Sequence, residues 1–302
     1  EDGRNRKALE WLEREEAIGD NITVKENDTE IIIQAKKFSY TLDKRTGLFN
    51  SIQFAGRNYL NHPMELNIWR APTDNDMYIK LDWKKAHYDA AYTRAYTTEV
   101  LQNQHGVFIM EHLAVVADTV QKILDIELTW KITECGKIAV SIAVKKDDEF
   151  PDLPRFGVRL FLDKKLDYFG MGPQESYRDK HQSASHGLYR SKVSDMHEDY
   201  IKPQENGSHF DCDYVELANS QFGLTVVAEK AFSFNASGYT QEELEKAAHN
   251  YELTESDSTV LCIDYAMNGI GSNSCGPVVL DAYRFSEALF RFRFEMVPFV
   301  KG

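Results

Sequence analysis

Four thiols are all the cysteine in 302 residues, and Cys135, Cys212, Cys262 and Cys275 form no C-x-x-C pair. Such spacing suits no zinc motif. So few thiols in so long a chain fit a reducing, cytoplasmic compartment, where each behaves as a small apolar residue. Basic clusters are also lacking: Lys plus Arg total 35 against 48 Asp plus Glu, a net charge of -13. Nucleic acid and anionic membranes both reward clustered cations, so neither is an expected partner. No apolar run reaches the length of a membrane span, and the first residues are charged, so no signal peptide is visible. There is no repeat of fixed period and no low-complexity tract. The sequence opens on Glu1 rather than Met, as expected of a piece of a longer polypeptide.

Aromatic residues, by contrast, are plentiful, with 17 Phe and 15 Tyr, which suits sheets and carbohydrate-facing surfaces more than a helical bundle. Residues 1–20 read as a linker or short terminal helix carrying Ala8, Leu9, Trp11, Leu12 and Ile18, stopped by Gly19 and Asp20. From there the period is two. Strands are expected over 30–36, 38–42 and 48–54. Residues 77–90 lose the alternation, and Trp83, Ala86 and Ala90 can share one helical face. Alternation returns at Leu124, Ile126, Leu128, Trp130 and Ile132, then at Ile138, Val140, Ile142 and Val144 after the Cys135-Gly136 turn. Such a pattern is that of half-buried antiparallel hairpins. Further strands are expected over 156–162, 214–217, 224–228, 232–235, 260–265 and 290–297. Residues 170–207 read as one long polar loop, and Thr240 with Glu243 fits a capping box opening a helix to about His249. Many strands with few short helices predict an all-β fold of packed antiparallel sheets.

Five stretches carry a family resemblance. IWRAPTDND (68–76) ends an apolar run in a stiff Ala-Pro step and three short polar side chains, the chemistry of a self-bonding turn, with Arg70 placed to pair with a carboxylate. YFGMGPQESYRDK (168–180), SDMHEDYIKPQENG (194–207), FSFNASGYTQEELEKAAHNYEL (232–253) and GIGSNSCGP (269–277) follow. In this order they resemble the small-chain domain of the β-galactosidases of glycoside hydrolase family 2. The resemblance implies a galactose-mutarotase-like super-sandwich over residues 21–302. It implies a β-galactosidase barrel domain or large subunit as partner, a galactoside such as lactose as substrate, and an oligomeric complete enzyme. It also places the catalytic glutamates, with Mg and Na, on that barrel, leaving this chain no catalytic residue and no metal or cofactor of its own.

Residue chemistry leaves alternatives open. A retaining glycosidase needs two carboxyls about 5–5.5 Å apart. Glu175 and Glu205 are the candidates here, unless each merely orders its own loop, as Arg70, Asp74, Asn75 and Asp76 would order theirs. The family's mobile substrate-side loop corresponds to Met77, Tyr78, Ile79 and Lys80, with Gly usual where Tyr78 stands. In some members a Trp of the second rim loop stacks on sugar. Cys275 stands there in this sequence, beside Asn273 and Ser274, so Tyr78 or Trp83 would have to supply the ring. His181, His186, His197, His209 and His249 are nominal ligands, and His209-x-Asp211-x-Asp213 would put three side chains on one strand face. Two other functions remain open: an aldose mutarotase or epimerase using Glu175 or Glu205 with His181 or His209, and a carbohydrate-binding module.

Overall fold

A computed structural model describes residues 21–119, 122–172 and 174–301. The linker or helix expected over 1–20 lies outside the described residues. The first five strands form an antiparallel meander in chain order: β1 (Thr23–Glu26), β2 (Glu30–Gln34), β3 (Phe38–Asp43), β4 (Leu48–Phe54) and β5 (Arg57–Asn58). Alternation turns Ile31, Ile33, Tyr40 and Leu42 inward. Phe49 of β4 meets Trp130 edge-on at 4.9 Å, and the Trp130 indole N–H donates to Gly47 O at 3.0 Å. These contacts fix the small sheet on the large one.

The large sheet has twelve strands among the described residues. They are β6 (His62–Asn67), β7 (Tyr92–Asn103), β8 (Gly106–Val116), β9 (Leu124–Ile132), β10 (Ile138–Lys146) and β11 (Arg155–Leu162). After these come β12 (Asp167–Gly172), β13 (Gly187–Lys192), β14 (Ser208–Ala218), β15 (Phe222–Ser237), β16 (Thr259–Met267) and β17 (Leu289–Val300). Its main path runs β13-β12-β14-β15-β17-β10-β9-β8-β7, with β16, β11 and β6 branching from β15. Strand β15 serves both arms: Phe222–Ala228 pairs with β17, and Ser233–Ser237 with β16. The alternating strands line up in buried rows such as Trp130–Val140–Phe294 and Leu128–Ile142–Phe292. Each such side chain contributes about 1.5–3 kcal/mol by leaving water.

Strand β11 differs, for every residue in it is buried, including Arg155 and Arg159. Covered on both faces, it tolerates no extra atom at Gly157, where a Cβ would stand 2.1 Å from Ile263 O. Gly157→Ala is therefore expected to cost about 1–3 kcal/mol, seen as a lower urea midpoint with an unchanged slope.

Several expectations need correction. The loop expected over 170–207 contains β13 and the end of β12, paired over six residues, and a 3-10 turn at Val193–Met196. Sequence alternation misses β13 because it is an edge strand whose Leu188 faces solvent. The β7–β8 hairpin, ahead of Leu124, is also missing from the expected strands: β7 is a mostly exposed, Thr-rich edge, and β8 ends in four successive buried residues, Leu113 to Val116, without alternation. Helix α1 (Ile79–Lys85) buries Trp83 and is followed by buried Ala86, but Ala90 is exposed and Tyr88 takes the inward place. Helix α2 (Gln241–Lys246) starts as expected, with Glu243 N donating to Thr240 Oγ1 at 3.1 Å. It stops before His249 because the Lys202 ammonium donates to the carbonyls of Leu244, Glu245 and Ala247.

Candidate functional site: a cleft between the signature loops

The chain leaves β6 through Trp69 and enters the signature loop on a buried ion pair. The Arg70 guanidinium donates to both Asp76 oxygens, at 3.2 and 2.7 Å, and to the carbonyls of Asn268 and Gly269. Asp76 Oδ2 also accepts the Thr73 amide and hydroxyl at 2.9 and 3.0 Å, closing a 3-10 turn over Asp74–Asp76. The Asp74 amide donates to Gln204 Oε1 at 3.0 Å. Asn75 reaches the last loop, donating to Gly271 O at 3.0 Å and accepting the Ser274 hydroxyl at 2.8 Å.

The other segments converge on the same end. Glu205 and Ala71 bond each other twice, and Glu205 Oε1 accepts Arg155 at 2.8 Å. Arg155 also forks onto Asp264, at 3.2 and 2.6 Å, so one fully buried cation holds two carboxylates. Burial pushes the Asp264 carboxyl up to about 6, with Arg155 pulling it back down. Glu175 Oε1 accepts the Gly207 amide at 2.9 Å and the Tyr177 hydroxyl at 3.2 Å. Asn235 donates to Asn206 O, and the Trp69 indole donates to Glu245 at 3.1 Å, which brings in the fourth segment. Both glutamates named as a possible catalytic pair are thus engaged in holding backbone.

Beside this network lies an open cleft of about 260 Å³, lined by Asn75, Tyr78, Ile79, Asn273, Val279 and Arg284 among others. Tyr78 is 58% exposed and has φ of -98°, so its position needs no glycine. Of the substrate-facing candidates, the cleft joins Tyr78 and Asn273. Ser274 is turned onto Asn75, and Cys275 is an exposed free thiol in the 272–276 turn. Trp83 is excluded as a stacking platform. It has no exposed surface, its indole donates to Asp152 O at 2.9 Å, and its ring lies under the Arg70 guanidinium.

The histidines do not assemble a site. His209 is sandwiched between Tyr168 and Phe234, and burial pushes its pKa down to about 4. The expected His209, Asp211, Asp213 face is broken by bulges at His209–Cys212 and Cys212–Tyr214, with Asp211 in the left-handed region at φ 64°. Asp213 instead faces His186 at 3.4 Å. Among the described residues no group of three or more His, Cys, Asp or Glu is placed to hold a metal ion. No described helix is long and apolar enough to cross a membrane.

Sequence reasoning missed Arg155, Asp264 and Asp179. Arginines at the start and middle of the apolar run RFGVRLFL, and one aspartate inside VLCIDYAM, are the signal of buried ion pairing. Asp179 belongs to the 168–180 signature stretch, but nothing local marks it. Its two oxygens accept the amides of Ile270 and Gly271 at 2.9 and 2.6 Å.

Fold and comparison agree on a class. A galactose 1-epimerase from Lactobacillus acidophilus NCFM superposes with a TM-score of 0.51, over 95% of this chain and 100% of that one at 7% identity. The architecture is the galactose-mutarotase-like antiparallel sandwich. Within that class the chain belongs to the β-galactosidase small-chain family, whose model, "Beta galactosidase small chain", matches residues 34–296. A β-galactosidase of Actinobacillus pleuropneumoniae is 47% identical over 277 residues, covering 91% of this chain and 27% of that protein. One from Staphylococcus xylosus is 35% identical over 264 residues, covering 86% of this chain and 27% of that protein. The chain therefore spans about 27% of the length of these relatives.

Proposed function

We propose that this chain is a non-catalytic part of a β-galactosidase, lending one wall to a galactoside pocket whose reacting carboxyls stand on the remaining polypeptide. The observation that carries this reading is the cleft between the first and last signature loops. Its lining includes the exposed Tyr78 ring and the Asn273 side chain. A tyrosine face suits the apolar side of a pyranose, and an amide suits its hydroxyls. Glu205 is bound to Arg155 and the Ala71 amide, and Glu175 to the Gly207 amide, which supports a structural role for both. The partner is the portion of the relatives that the 27% match leaves uncovered, either fused or as a large subunit. On this reading the catalytic metals, Mg and Na, are held there too, the complete enzyme is an oligomer, and the physiological substrate is a β-galactoside such as lactose. Exposed Met77, Leu81, Val278 and Leu280 border the cleft loops and supply apolar surface for that contact.

Hydrolysis of a chromogenic β-galactoside tests this directly. No turnover is expected from the chain alone, and turnover is expected once the barrel-bearing partner is added. Rapid hydrolysis by the purified chain would refute the assignment. Of the two histidines open to the mutarotase reading, His209 is buried with a pKa of about 4, and His181 Nδ1 is engaged with the Arg178 carbonyl at 2.8 Å.

A further inference from the structure

Loop 269–277 has little to hold it by packing. Ser272, Ser274, Cys275, Gly276, Pro277 and Val278 are all exposed, and Ile270 is its main buried side chain. A segment with so few apolar contacts sits at the low-stability end of a protein unless polar contacts pin it. Gly269 N donates to Tyr283 O at 2.9 Å, and the side-chain pins come from two other signature segments. Asp179 takes two successive amides, Ile270 and Gly271, one on each oxygen. Asn75 takes the Gly271 carbonyl on its amide nitrogen and the Ser274 hydroxyl and amide on its oxygen. Gly271 is thus held at both its N–H and its C=O, at φ 69°, a conformation that favours glycine. Gly269 makes the approach feasible, because a Cβ there would stand 3.0 Å from the Asp179 carboxyl carbon.

Asp179 is itself rigidly presented. Tyr177 and Lys180 exchange backbone hydrogen bonds at 3.1 and 2.9 Å, so Asp179 sits at the corner of a closed turn. Arg178 ties the same turn to Arg284 O at 3.0 Å. We propose that Asp179 is a positioning residue for galactoside binding: with Asn75 it forms a latch that fixes the loop carrying Asn273, which lines the same cleft as Tyr78. The proposal rests on the reading of that cleft as a substrate wall. Charge-assisted bonds to two backbone amides give the latch its strength, and Asn75 gives it register.

Amide exchange of the chain and kinetics of the complete enzyme containing it form the test. In Asp179→Ala, the amides of residues 270–275 are expected to exchange much faster, while those of β9 and β10 keep wild-type protection. Michaelis constants for a galactoside are expected to rise about tenfold, the scale of one lost charge-assisted hydrogen bond, with kcat changing less. Asn75→Ala should act in the same direction, and the double variant should lose little more than either single one, since both open one latch. Asp179→Asn, which keeps one acceptor, serves if the alanine variant fails to fold, and should show a smaller effect of the same kind. Unchanged exchange in the loop overturns the latch and leaves the cleft reading standing, to be tested by Tyr78→Ala. Faster exchange with unchanged kinetics overturns the positioning role, and Tyr78→Ala then decides the cleft reading separately. Fully additive effects of the two single substitutions overturn the single-latch account.

Discussion

Arg155→Met is expected to destabilise the protein by about 3–5 kcal/mol, because it strands Glu205 and Asp264 as buried carboxylates with no cation between them. All three side chains have at most 1% of their surface exposed, so water cannot replace the guanidinium. Spread over a chain of this length, the loss corresponds to a melting point lower by roughly 5–8 °C. The signature end should loosen first. Glu205 holds Ala71 and Arg155 comes from β11, so the ion pair joins the first signature loop to the layer beneath it. A compensated variant separates the charge from the packing. Combining Arg155→Met with Glu205→Gln and Asp264→Asn removes all three charges and should recover more than half of the loss, since desolvation of the unpaired anions is then avoided. Urea midpoints of the single and triple variants decide it. A triple variant no better than the single one would assign the damage to lost shape rather than stranded charge.

The same cluster marks where sequence reading reached and where it stopped. Strands β9, β10 and β17 face water on one side, so their apolar residues fall on alternate positions and the pattern is visible in one dimension. Thr240 announced α2 because a cap is a local contact. Strands at the margins carried no such imprint. In β13 the apolar Leu188 points outward, and β12 carries Gly170, which has no room for a Cβ against Tyr214 O. The signature loops were legible as motifs, but their wiring was not. Arg155 lies fifty residues from Glu205 and 109 from Asp264, and Asp179 reaches across 91 residues to Ile270. Pairings over such separations are set by how the sheets stack, which no local pattern records. Trp83 shows the cost: an aromatic beside a substrate-side loop reads as a platform, yet an apolar helix face turned it into the core.

Glu111→Gln should stabilise the protein, and by an amount that depends on pH. Glu111 sits on β8 with 2% exposure, accepting the Trp130 indole N–H at 3.1 Å and the Thr98 hydroxyl at 3.3 Å. Burial pushes its pKa up to about 8, against the pull of those two donors, and among the described residues no cation offsets it. The folded state therefore keeps a proton that the unfolded chain gives up near pH 4.5. With the folded pKa the higher of the two, the contribution to stability is intact below about pH 4.5 and is lost as pH climbs toward 8. At pH 7 the loss comes to about 3 kcal/mol. Glutamine copies the protonated form: its oxygen can accept from Trp130 and its amide can donate to Thr98. Variant and wild type should match near pH 4.5 and diverge steadily to pH 7, with the variant melting roughly 5 °C higher. A difference that stays flat across that range would mean that Glu111 is ionised in the folded protein. The position matters beyond its charge, because the same indole N–H that meets Glu111 also meets Gly47 O in the turn between β3 and β4. Neutral Glu111 is thus part of the joint that seats the small sheet on the large one, and above its pKa that joint is the part of the fold that alkaline conditions should weaken first.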